Sequence, residues 1–174
     1  MSAVAAADRA GADRAAIAAS ARTAAAAVLD PEIPVLTIDD LGILRGVTVL
    51  DDGRVEVTLT PTYSGCPATD VIRAEVERAL AEHGFEDAVV RTELAPAWTT
   101  EWITDEGRRK LVEFGIAPPG KRCAGGPTAA VELVRCPLCG SADTRLQSRF
   151  GSTACKSLRV CNRCREPFDH FKAL

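Results

Sequence analysis

Between Gly42 and Thr60, apolar and polar residues alternate in two runs that meet at Asp52-Gly53. In "RVEVTLT", Val55, Val57 and Leu59 fall on one face and Glu56 and Thr58 on the other. With the preceding "GILRGVTVL", this predicts a β-hairpin with one buried side and an Asp-Gly turn. The period then changes. From Pro67 to His83 the apolar positions Ile72, Val76, Ala79 and Leu80 recur at helical spacing, and Gly84 supplies a C-terminal stop. "FEDAVVRTEL" reads as a third strand, and "TDEGRRKLVEFG" as a later helix that Thr104 caps and Gly115 closes. Upstream, Ala12 to Leu29 is rich in the helix formers Ala and Arg, and Asp30-Pro31 ends it because a residue before proline avoids the α region. The order αββαβα predicts a two-layer α/β body.

Residues 117–130, "APPGKRCAGGPTAA", have the proline and glycine content of a linker. The chain thus divides into an Ala-rich N-terminal helix over 1–27, an α/β domain over 28–116, the linker, and a small domain over 131–174. That last domain holds two C-x-x-C turns, Cys136–Cys139 and Cys161–Cys164, separated by 21 residues. This spacing favours a tetrahedral metal site, with zinc its natural occupant and an iron centre of the rubredoxin kind its competitor. Gly140 suits a left-handed backbone after the first knuckle. "TRLQSRF" and "KSLRV" read as ribbon strands, and so short a segment needs a metal staple to fold. Neither histidine is needed as a ligand: His83 reads as a helix-terminal surface residue and His170 as a strand residue.

Composition narrows the setting. A chain of 174 residues that is 47% hydrophobic can bury a real core. The first thirty residues carry Asp8, Arg9, Asp13, Arg14 and Arg22, which argues against both a signal peptide and a membrane helix. The expected location is the cytoplasm, where thiols stay reduced, so the seven cysteines read as ligands and reactive thiols and not as a disulfide framework. Residues 131–174 hold eight Lys or Arg against four Asp or Glu, a balance of +4 that leaves −7 for the rest of a chain whose total is −3. A nucleic-acid role is open for the tail and disfavoured for the whole.

The remaining chemistry centres on "TPTYSGCPATD". A strand ends at Pro61, Gly65 allows a turn, and Pro67 is favourable at a helix start, which puts Cys66 at or beside the N-cap. Free amides and the helix dipole there favour a thiolate, able to serve as a nucleophile or as a soft ligand for iron. The plainer reading is a buried cap residue. Cys155 lies between the knuckles, as a small core thiol or a functional one, and Cys123 falls in the linker. Asp30 and Glu32 read first as turn or cap residues and second as lining for the Cys66 site. Trp98 and Trp102, four apart, read as core anchors one helical turn apart or as part of a partner surface.

Three stretches, "DPEIPVLTIDDLGIL", "LTPTYSGCPATDVI" and "LAPAWTTEWITDEGRRKLVEFGIAPP", resemble the iron–sulfur cluster assembly domain family that includes SufT and the eukaryotic cytosolic iron–sulfur targeting proteins. The tail, "CPLCGSADTRLQSRFGSTACKSLRVCNRCREPFDHFK", narrows the resemblance to the accessory proteins of phenylacetyl-CoA epoxidase. The resemblance spans about Val28 to Leu174. It implies a non-enzymatic maturation factor that helps load or repair iron–sulfur or iron centres in the epoxidase subunits of phenylacetate catabolism. It carries the family's motif cysteine onto Cys66 and its acidic-proline motif onto Asp30, Pro31 and Glu32. Cys66 is then the labile ligand of a transient cluster or iron. One thiolate cannot hold a four-thiolate cluster, so any cluster is shared with Cys155, a second subunit of a homo-oligomer, or a client. The alternatives are a nucleic-acid-binding or regulatory zinc ribbon, supported by the tail's charge, and a thiol enzyme using Cys66 as nucleophile.

Overall fold

The computed structural model describes residues 3–120 and 133–173. The segment read as a linker therefore lies largely outside the described residues, as does Cys123. Contacts between Cα atoms divide the chain into two compact units, Met1–Trp98 and Thr99–Leu174.

In the first unit, α1 (Ala3–Ala26) precedes a hairpin of β1 (Leu44–Val49) and β2 (Val55–Leu59), then α2 (Ala68–Glu82) and β3 (Val89–Thr92). β1 and β2 are antiparallel, and β3 joins β2 in parallel, giving the order β1-β2-β3. The expected faces hold: Val55, Val57 and Leu59 are buried, while Glu56 and Thr58 are half-buried. Gly53 takes φ 88° in the hairpin turn, a value open to glycine without a Cβ penalty. The core joins this strand face to Ile72, Val76 and Leu80 of α2 and to Ala21, Ala24 and Ala25 of α1. Its largest contribution comes from the connection between α1 and β1, where Ile33, Leu36, Ile38 and Leu41 are wholly buried.

The first helix differs from its expected bounds. It begins nine residues earlier than Ala12, at Ala3, and stops at Ala26, short of Leu29. The early stop has a local cause, because the backbone beyond it is committed elsewhere. Val28 O accepts from Ile38 N at 2.9 Å, Asp30 N donates to Leu36 O at 2.9 Å, and Leu29 forms a bridge with Thr37.

The second unit opens with a 3₁₀ turn (Thr100–Trp102) and α3 (Asp105–Glu113), followed by β4 (Ile116–Ala117), β5 (Thr144–Ser148), β6 (Lys156–Cys161) and β7 (Pro167–Phe171). Thr104 caps α3 by accepting from Gly107 N at 2.9 Å, and Gly115, at φ 85°, closes it. The sheet order is β4-β7-β6-β5, with β4 parallel to β7 and the other pairs antiparallel. The element order α1-β1-β2-α2-β3-α3 is the expected αββαβα, and the C-terminal strands form the expected ribbon.

Trp98 and Trp102 do not share a helix. Trp98 is buried outside any helix or strand and donates its indole N–H to Leu41 O at 2.9 Å, while half-buried Trp102 ends the 3₁₀ turn. Proline and the Thr99 cap interrupt any continuous helix there. His83 is the exposed C-cap of α2, and His170 is a buried residue of β7.

Candidate metal centre and thiol site

Each cysteine knuckle is built by the same backbone device. Gly140 N donates to Cys136 O at 2.9 Å and Cys136 N to Ser141 O at 2.9 Å; in the second knuckle Arg165 N donates to Cys161 O at 3.0 Å and Cys161 N to Glu166 O at 3.1 Å. Both turns need a left-handed residue directly after their second cysteine. Gly140 supplies φ 72° as expected, whereas Arg165 adopts φ 68° with a full side chain. Asn162 ties the second knuckle to the residue that precedes β5, donating from its backbone to Asp143 O at 2.9 Å and from its amide to Asp143 Oδ1 at 2.7 Å.

The two knuckles bring four sulfurs together. All Sγ atoms of Cys136, Cys139, Cys161 and Cys164 lie within 4.8 Å of one another. Cys136 and Cys164 are 3.7 Å apart, and Cys139 and Cys161 are 3.6 Å apart. Zinc–thiolate bonds of about 2.3 Å put tetrahedral sulfurs about 3.8 Å apart, close to these two shortest separations and inside the 4.8 Å that bounds all six. The donor set therefore fits a closed structural zinc site, in which the metal supplies cohesion and leaves no open position for chemistry. The surrounding core consists of Ala117, Val134 and Phe168 with Cys136 and Cys161 themselves, so the ligands form much of what is buried.

Electrostatics favour a dication at this point. The Cys161 thiol is lowered to about 6, chiefly by the Cys164 N–H that points at its sulfur from 3.5 Å. Cys164 shows the opposite behaviour. The Glu166 N–H favours its thiolate, but desolvation and the neighbouring thiols of Cys161, Cys139 and Cys136 outweigh that and push it up to about 12. Ionising one sulfur thus opposes the next, and a bound cation removes the conflict.

Cys155 stands outside this set. It is buried, its sulfur lies 3.0 Å from the Thr153 hydroxyl, and its carbonyl accepts from Lys172 N at 3.0 Å.

In the first unit, Cys66 precedes α2, whose N-cap is Pro67. The thiol is half-exposed. Cys66 N donates to Tyr63 O at 3.2 Å and Cys66 O accepts from Thr69 N at 3.1 Å, and the cap makes no side-chain hydrogen bond to α2. Gly65 lies in the turn without a left-handed φ, so its position is open to other residues. His83 sits at the far end of the 15-residue helix, about 22 Å away at about 1.5 Å per residue, and so cannot serve Cys66 as a base.

The Asp30 carboxylate is buried and turned onto its own loop, where Oδ1 accepts from Glu32 N at 2.9 Å and Ile33 N at 2.8 Å. It shapes the turn that seats Ile33. A second buried acid, Asp40, lies within the stretch "DPEIPVLTIDDLGIL" but has no role assigned to it from the sequence. Its Oδ2 accepts from Thr37 N and its own N–H donates to Thr37 Oγ1, both at 3.0 Å. The spacing of Thr37 and Asp40 is the reciprocal capping pattern, the one signal that could have found it.

Comparison with known proteins follows this division. Residues 18–91 match the iron–sulfur cluster assembly protein family, and residues 121–172 match the PaaD zinc beta ribbon domain. The chain is 51% identical over 148 residues to an Escherichia coli (strain K12) protein provisionally named as a subunit of 1,2-phenylacetyl-CoA epoxidase, covering 83% of this chain and 86% of that one. It is also 36% identical over 90 residues to the Fe-S protein maturation auxiliary factor YitW of Bacillus subtilis (strain 168), covering 51% of this chain and 84% of the relative. Among solved structures, a domain of unknown function, DUF59, from Bacillus anthracis is similar with a TM-score of 0.54 at 25% identity, over 58% of this chain and 96% of that domain.

Proposed function

The chain belongs to the PaaD family of 1,2-phenylacetyl-CoA epoxidase subunits, and from that membership we propose that it is an accessory factor that assembles or repairs iron–sulfur or iron centres in the other epoxidase subunits. It acts in the cytoplasm and without catalytic turnover of its own. One observation carries the reading: a single chain joins an iron–sulfur assembly domain, presenting the half-exposed thiol of Cys66, to a zinc ribbon, with 51% identity to a named epoxidase subunit.

In this reading Cys66 is a labile ligand, its thiolate soft enough for iron and accessible enough to release it. A single thiolate holds no cluster alone, so the other ligands come from a client or a second copy of the chain. Cys155 can join only if its buried sulfur is uncovered, which makes it the less direct partner. Asp30, Pro31 and Glu32 act indirectly, by setting the loop on which the domain's core is built. The ribbon zinc is structural and stays bound.

The test is co-expression of the epoxidase subunits with the native chain or with Cys66→Ala, followed by measurement of bound iron, sulfide and epoxidation. Both hydrogen bonds of Cys66 are made by its backbone, so the alanine variant keeps the fold. Its partners are expected to be deficient in iron or sulfide. Equal metal content and activity at equal accessory-protein levels would sink the labile-ligand role. Thiol-dependent turnover in metal-free protein would instead establish a thiol enzyme.

A further inference from the structure

We propose that one face of the ribbon, beside the outer edge of β5, docks an extended acidic segment of a partner protein. β5 is the end strand of its sheet, and among the described residues no strand covers its outer side. An uncovered edge offers backbone N–H and C=O groups to an incoming strand. On the adjoining face of the same sheet, across β5, β6 and the end of β7, lies a shallow cleft of about 320 Å³ lined by Leu146, Arg149, Phe150, Arg159 and Lys172. Its remaining lining is Ser157 and His170, held together by a 3.2 Å contact between Ser157 Oγ and His170 Nδ1.

The lining contains three cations and no carboxylate. The nearby acid, Asp169, is engaged by Ser152 at 2.8 Å and by Lys156 at 3.8 Å, neither of which lines the cleft. The Lys172 ammonium sits 4.9 Å from the centroid of the Phe150 ring and 3.5 Å from Arg149 O, so the aromatic and the cations form one surface. Phe150 is 67% exposed and Leu146 47% exposed, apolar area that a partner side chain would cover. Carboxylates facing Arg149 and Lys172, an apolar residue against Phe150 and Leu146, and main-chain pairing along β5 together describe an acidic β-strand carrying an apolar anchor. A nucleic acid fits less well. Its backbone makes no use of a strand edge, and a single exposed ring is a poor stacking platform. The chain as a whole also carries −3.

This proposal goes beyond the assembly role. It is tested by probing an array of decapeptides, with graded Asp and Glu content around a central Leu or Phe, with the full-length zinc-loaded protein, and measuring the best binder by fluorescence anisotropy. Binding should rise with carboxylate number, fall with ionic strength, and be lost when alternate peptide backbone nitrogens are methylated. Arg149→Glu and Lys172→Glu should each weaken it about tenfold, the loss of one charge-assisted hydrogen bond. Both variants leave the four cysteines untouched, so unchanged zinc content shows that the ribbon is folded. Binding indifferent to acidic content, unaltered by either variant, or retained after methylation overturns the proposal, as does tighter binding of an oligo(dT) probe than of any peptide. The array contains no epoxidase sequence, so its failure leaves the assembly role standing, and failure of the Cys66 test leaves this surface standing.

Discussion

Replacing Cys161 with serine should weaken zinc binding about a hundredfold and loosen the ribbon. Its sulfur is wholly buried, lies 3.6 Å from Cys139 Sγ and receives the Cys164 N–H at 3.5 Å. A structural zinc contributes about 10–16 kcal/mol through four ligands, so one thiolate accounts for about 3 kcal/mol, or about a hundredfold in affinity. Little else holds the centre together, since the buried cluster outside the cysteines is Ala117, Val134 and Phe168. The native chain should contain about one zinc, because the described residues hold a single four-cysteine set at tetrahedral spacing. Zinc per chain by elemental mass spectrometry, affinity by chelator competition, and near-ultraviolet circular dichroism together read the outcome. Cys155→Ser is the control and should keep its zinc, because that sulfur lies outside the set. Undiminished zinc affinity in Cys161→Ser, iron in place of zinc in the native chain, or zinc loss in Cys155→Ser would refute the assignment.

The left-handed residues of the two knuckles make a paired prediction. Gly140→Ala, whose Cβ would meet nothing within 4 Å, should destabilise the zinc-loaded ribbon by about 1–2 kcal/mol from backbone strain alone. Arg165→Gly relieves the same strain at the cost of unfolded-chain entropy, and should leave stability unchanged or raise it by up to about 1 kcal/mol in thermal unfolding. Asp30→Ala removes the acceptor of two backbone N–H groups, one of them buried, and should cost about 2 kcal/mol in denaturant unfolding. Asp30→Asn keeps an acceptor oxygen and should recover most of that loss.

What could be read from the chain was whatever is local. The hairpin follows from a period of two and an Asp-Gly turn, α3 from Thr104 and Gly115, and the metal set from two knuckles whose ligands are brought together by short turns. The end of α1 is not local, because it is decided by hydrogen bonds that pair Val28 with Ile38 and Asp30 with Leu36, ten and six residues on, and not by the proline at 31. The β4–β7 pairing spans about fifty positions with only two residues of strand, too little pattern to register. Arg165 was invisible because its left-handed φ is imposed by the knuckle against the preference of its side chain. The cationic cleft is not legible in the sequence because Arg149 and Lys172 are 23 residues apart in the chain, and only the sheet makes them neighbours.

The pairing of β4 with β7 also sets an order of events during synthesis. Cys139 and Cys161 are 22 positions apart, so at about 5–20 residues per second the first knuckle waits about one to four seconds on the ribosome before its partner exists. Over that interval Cys136 and Cys139 form an open dithiol, able to take a metal ion but not to enclose it. Ile116 and Ala117 wait longer still, because Asp169 and His170 must emerge before their strand has a neighbour. The ribbon is therefore sealed by late-made chain closing onto early-made chain, and a nascent protein stalled before Cys161 would offer the thiols of its first knuckle to whatever metal or oxidant reached them first.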